Sequence, residues 1–90
     1  MTQFLVLSLA SGDMIKESVE QNIAPSDRFT VIEDRAWLVA FTGTAAELSE
    51  RLGTKDGSRG SLLISSLTDI SGYGPNNMIR WMAEHDNNKQ

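Results

Sequence analysis

Between Arg28 and Phe41 (RFTVIEDRAWLVAF), Phe29, Val31, Trp37, Val39 and Phe41 alternate with Thr30, Ile32, Leu38 and Ala40. A period of two predicts a pair of strands. The charged triplet Glu33-Asp34-Arg35 between the two runs fits a hairpin turn, though it lacks the Asn-Gly or Asp-Gly pair of the strongest turn signal. The second run, Ala36–Phe41, is apolar on both of its faces. A strand wetted on one side carries polar residues at every second position, so both faces here require a cover.

The remaining segments supply further elements. Gln3–Ser8 (QFLVLS), bounded by Ser11-Gly12, reads as a buried strand. Asp13 is placed to cap a helix whose stripe is Ile15, Val19 and Ile23, with Lys16, Glu17, Glu20 and Gln21 on the wet side and Pro25 closing the segment. Thr44 and Glu47 form a capping box ahead of the stripe Ala45, Leu48 and Leu52, and Gly53 follows as the expected C′ residue. Thr54–Gly60 is a polar loop, and Ser61–Leu67 (SLLISSL) is a fourth buried-type strand. Met78, Trp81, Met82 and His85 fall at i, i+3, i+4 and i+7 on a C-terminal helix that starts near Pro75-Asn76.

The order strand, helix, strand, strand, helix, strand, with right-handed crossovers, predicts an α+β, ferredoxin-like βαββαβ fold. The expected sheet is four-stranded and antiparallel, with two helices on one face and an added C-terminal helix. Residues 1–90 form one domain, its core within 3–67 and the C-terminal loop and helix within 68–86. The second sheet face would then expose more apolar surface than a monomer usually tolerates. The C-terminal helix and a second copy of the chain, in a two-fold contact, are both available to cover it. Trp37, Val39, Phe41, Trp81 and Met82 are the expected interface residues. For the two tryptophans, a base-stacking role is the less favoured reading.

Composition narrows the function classes. Eight basic against twelve acidic residues leave a net charge of −4, and the basic ones are scattered, which argues against nucleic acid as a partner. The absence of cysteine excludes disulfides and thiolate metal sites, and points to a cytoplasmic protein. No apolar run reaches the roughly 20 residues of a membrane span. MTQFLVLSLASG lacks the basic start of a signal peptide and reads as the first strand.

Candidate chemistry is sparse. His85, the single histidine, is the one residue around which a Ser-His-Asp triad could form, and its position near a helix end is explained by the helix dipole. Asp13, Asp34, Asp56 and Asp69 are possible divalent-metal ligands, Asp13 and Asp69 foremost because each follows a strand, but capping and turn roles account for them. The loop Asp69–Asn77 (DISGYGPNN) combines Gly72, Tyr73 and Gly74 with a proline, and its amides are the best placed to cradle a small anion. It matches no phosphate fingerprint, and a turn from the last strand into the C-terminal helix is the favoured reading. No cofactor and no catalytic set is expected.

FLVLSL, then AWLVAFTGTAAELSERL, then SLLISSLTDISGYG and a tryptophan-bearing terminal helix resemble, in order and spacing, ferredoxin-like proteins related to the small CRISPR-associated adaptor of the spacer integrase. They look closer still to bacterial hypothetical proteins labelled SinR-like, although no helix-turn-helix is present. In the adaptor family the first strand ends in an aspartate proposed as a nuclease metal ligand. The matching position here is Ser8 or Leu9. The resemblance therefore implies a dimeric scaffold without intact nuclease residues. The expected function is a non-enzymatic, homodimeric interaction module. A metal-dependent nuclease using Asp13 or Asp69 and a small-ligand regulatory domain are the alternatives.

Overall fold

The computed structural model describes residues 1–9, 14–67, 74 and 76–85. Its strands are β1 (Thr2–Ser8), β2 (Arg28–Ile32), β3 (Ala36–Phe41) and β4 (Leu62–Leu67). Its helices are α1 (Ile15–Asn22), α2 (Ala45–Arg51) and α3 (Asn76–Glu84), with one 3-10 turn over Pro25–Asp27. The strands form one antiparallel sheet in the order β2-β3-β1-β4, the arrangement of a ferredoxin-like α+β fold, and α3 is the added C-terminal helix.

Both faces of β3 are covered, as its composition requires. Ala36, Trp37, Leu38, Val39 and Ala40 are all buried. On the first face, Phe4, Val6, Trp37 and Val39 pack against Ile15, Val19 and Ile23 around α1 and against Leu48 and Leu52 around α2. Phe41, Ala45, Leu62 and Ile64 close the margin of this core. The two helical stripes read from the sequence thus land on the same sheet face.

Local chemistry holds the helix ends. The Thr44 hydroxyl accepts from the Glu47 amide at 3.1 Å, and the Glu47 carboxylate accepts from the Thr44 amide at 2.9 Å. These bonds satisfy donors that a bare helix start leaves open. At the other end of α2, the amides of Gly53 and Thr54 donate to the carbonyls of Glu50 and Ser49, each at 3.0 Å. This Schellman pattern needs a left-handed residue, which Gly53 provides at φ 73°. Thr44→Ala should lower stability by about 1 kcal/mol. A reduced urea midpoint at unchanged m-value is the expected reading, and an unchanged midpoint would show that the box contributes nothing.

Helix α1 ends differently. No basic residue occupies its last turn, but the Arg28 guanidinium reaches back from β2 and donates to the carbonyls of Glu20 and Ile23. A cation there meets the negative end of the helix dipole. Met14 holds the N-cap position with no side-chain cap bond, and Asp13 lies outside the described residues. Pro25 does more than close α1. It opens the 3-10 turn, where its fixed φ and missing amide proton cost nothing.

The hairpin between β2 and β3 turns at Glu33-Asp34-Arg35 as expected. Asp34 adopts φ 64°, a conformation aspartate tolerates better than most residues. The Arg35 amide donates to the Ile32 carbonyl at 3.0 Å. A shift in register between Thr30 and Ile32 departs from simple alternation, and it sets Ile32 opposite Ala36. Phe29 pairs with Leu38, so it points away from α1 and α2.

Candidate interaction surface

The second sheet face can be mapped row by row, because directly paired residues share a face. Ala40, Gln3 and Leu67 make one row. Phe29, Leu38, Leu5 and Ser65 make the next, and Ile32, Ala36, Leu7 and Leu63 the third. Helix α3 covers the first two rows. Trp81, Met78 and Met82 pack against Leu38, Ala40, Leu5, Phe29 and Leu67. The expectation that a C-terminal helix supplies a cover is met in this way.

The third row lies beyond α3. Ile32 is 57% exposed and Leu63 54%, with half-buried Leu7 and buried Ala36 between them. Leu9, 57% exposed, extends the patch along β1, and its amide donates to the Ser61 carbonyl at 2.9 Å. An apolar band therefore crosses all four strands at one end of the sheet. The row contains no charged residue.

This map relocates the expected interface. Trp37 and Val39, at 1% and 0% exposure, lie on the opposite face beneath α1 and α2, with Phe41 at the edge of the same core. They are core residues, out of reach of a partner in the folded chain. The two sides of β3 are equally apolar, so sequence alone could not tell which one faces the helices. Trp81 and Met82 do lie on the second face, as part of the helix that covers it.

The seam under α3 mixes apolar contact with polar ties. The Gln3 side-chain amide donates to the Met82 carbonyl at 2.8 Å. The His85 ring stacks on Trp81 at 4.1 Å between centroids and 20° between planes. Its Nδ1 lies 2.8 Å from the Trp81 carbonyl oxygen and its Nε2 3.0 Å from that of Ser26. A neutral imidazole carries one N–H and serves one carbonyl at a time, whereas the doubly protonated ring serves both. The Asp27 carboxylate stands 3.8 Å from Nε2. His85 thus pins the end of α3 to the 3-10 turn, its contact with Ser26 being to the backbone carbonyl. Gln3 Oε1 and Trp81 Nε1 are buried without a hydrogen-bond partner among the described residues.

Of the other residues singled out from the sequence, Asp13, Asp69, Gly72 and Tyr73 lie outside the described residues. Gly74 is described. A Cβ there would stand 2.8 Å from Met78 Cε, the free end of a flexible side chain that can move aside. Asp34 is engaged in an ion pair with Lys16 at 3.4 Å, beside the closer pair of Lys16 with Glu33 at 2.9 Å. The Glu33 hydrogen bond and charge, reinforced by Asp34, hold the Lys16 ammonium above its ordinary value. Asp56 accepts the Ser58 amide at 2.9 Å, which holds its carboxyl below the ordinary range. Both carboxylates serve turns. Among the described residues no group of three or more His, Cys, Asp or Glu is placed to hold a metal ion. No helix among them is long and apolar enough to cross a membrane.

No family model, curated protein or solved structure matches this chain. The surface map therefore stands on physical grounds. Sequence reasoning missed the third row because its members, Ile32, Leu7 and Leu63, come from three separate segments, and strand register alone brings them together.

Proposed function

We propose that the chain is a non-enzymatic interaction module that works as a cytoplasmic homodimer. The observation carrying this reading is the β4 end of the third row beyond α3, where Leu63 and Leu9 stand 54% and 57% exposed on either side of half-buried Leu7. Contiguous exposed apolar surface of this kind marks association sites. A second copy is the proposed occupant because the row runs into β4, whose sequence is self-complementary, as developed below. Two copies that each carry a net charge of −4 repel at long range, and β4, LLISSL, adds no charge to the contact. The dimerisation implied by the resemblance to the adaptor-related proteins points the same way, with a different surface from the one expected on Trp37.

Light scattering across a hundredfold dilution tests the reading. A mass near twice the 9.9 kDa of the chain is expected at the concentrated end. Leu63→Lys should shift the equilibrium toward monomer at least tenfold while leaving far-UV circular dichroism unchanged, because Leu63 contributes little to the core. A monomer mass at every concentration removes the homodimer.

A further inference from the structure

The sheet has two edges, and they differ. The β2 edge carries Arg28 and a register irregularity and is followed by the charged turn. All three features discourage strand addition. The strand β4 itself carries neither a charge nor a break in register. Leu62–Leu67 contains no charge, no proline and no glycine, and it pairs with β1 in regular register throughout.

The direction of its backbone groups follows from the ladder. The Leu9 amide donates to the Ser61 carbonyl, which makes Leu9 and Ser61 a hydrogen-bonded pair. Such pairs alternate with non-hydrogen-bonded ones in antiparallel strands. Leu63, Ser65 and Leu67 therefore direct their peptide groups toward β1. Leu62, Ile64 and Ser66 direct theirs outward, away from the sheet. Three amide donors and three carbonyl acceptors stand in a row at this edge, the Ser66 carbonyl also accepting from the Ser65 hydroxyl at 3.4 Å.

We infer that β4 pairs with β4 of a second copy, antiparallel, about a two-fold axis through Ile64, so that two four-stranded sheets become one continuous sheet. This rests on the homodimer proposed above and names the segment that makes it. Three outward-facing residues with Ile64 in the middle allow one fully matched two-fold register. Ile64 faces its own symmetry mate, and Leu62 faces Ser66 of the partner subunit. In the same register Leu63 faces Ser65 of the partner subunit. Leu62 and Leu63 thus each meet a serine, and Ile64 packs on its own mate at the axis, a property of the order Leu-Leu-Ile-Ser-Ser read against itself. On the second face, Leu63 and its symmetry mate become diagonal neighbours, within reach of long side chains. The exposed end of the third row is then shared between the copies, and each outward amide gains an acceptor.

The chain contains no cysteine, so single cysteines map the register cleanly. Leu63→Cys and Ser65→Cys proteins are purified separately, mixed, allowed to exchange subunits and oxidised. Non-hydrogen-bonded partners have Cα atoms about 4.5 Å apart, inside the range a disulfide spans. Diagonal positions, about 7–8 Å apart, fall outside it. The mixed 63–65 disulfide should exceed either homodisulfide about tenfold. A dimer by light scattering that gives no such excess overturns the register and leaves the homodimer standing. A monomer overturns both.

A second variant reads the backbone. Ser66→Pro removes an outward amide without touching the β1 ladder, a substitution edge strands accept. Dimer dissociation should strengthen at least tenfold with circular dichroism retained. A folded variant that dimerises as the parent does would place the contact elsewhere.

Discussion

Trp37→Ala should cost about 3–5 kcal/mol of stability. Trp37 is the largest fully buried side chain among the described residues and sits at 1% exposure on the sheet beneath α1 and α2. Truncation removes the transfer energy of the indole and leaves a cavity that α1 and α2 can close only in part. A domain of this size commonly holds about 5–15 kcal/mol in total, so the variant stands near its unfolding threshold at room temperature. Urea denaturation at micromolar and at hundredfold higher concentration checks it, and the loss should be the same at both if Trp37 is core. A loss below about 1 kcal/mol, or one that vanishes on dilution, would return Trp37 to the interface.

Trp81→Ala should cost less, about 2 kcal/mol, with a more localised result. The indole spans the seam between α3 and the sheet, with its ring tilted against Phe29 at 6.4 Å and stacked on His85. Its Nε1 is buried and without a partner among the described residues. Truncating a tryptophan costs about 3–5 kcal/mol, but removing an unpaired buried donor returns about 1–3 kcal/mol. Helix α3 has nine residues, too few to persist in isolation. Amides from Met78 to His85 should lose protection from hydrogen exchange while those of β1 and β3 keep theirs. The bared rows around Leu38 and Leu5 should bind a hydrophobic dye. Retained protection across α3 would show that Met78, Met82 and the Gln3 and His85 ties suffice to hold it.

The parts of this fold legible in the sequence are those written locally. The Thr44–Glu47 box, Gly53, the Ile15–Val19–Ile23 stripe and the Glu33–Arg35 turn each declare themselves within a few residues, and each holds its expected place. Ala36–Phe41 also announced that both its faces are covered. What it could not announce was the polarity of that arrangement, since Trp37 and Leu38 are both apolar and one step of register exchanges them. Long-range ties were equally silent. Arg28 completing α1, Gln3 reaching Met82 and His85 reaching Ser26 depend on segments brought together by the topology. The candidate surface belongs to this second kind, because Ile32 joins Leu7 and Leu63 through a register shift that alternation does not foretell.

The strand order also has a consequence for the newborn chain on the ribosome. β1 occupies an inner position and pairs with β3 on one side and β4 on the other. Translating the stretch from Ser8 to Leu62 takes roughly 3–11 s at about 5–20 residues per second. Through that interval one side of the first strand stays unpaired, and the apolar second face waits longer still for α3. Each nascent chain passes through a period in which its sheet is sticky on its outer face, and on a polysome its neighbours are other copies at earlier and later stages of synthesis. Under the pairing proposed above, the β4 edge is then a hazard as well as an asset, and the pace of synthesis past β4 becomes part of how the protein reaches that pairing.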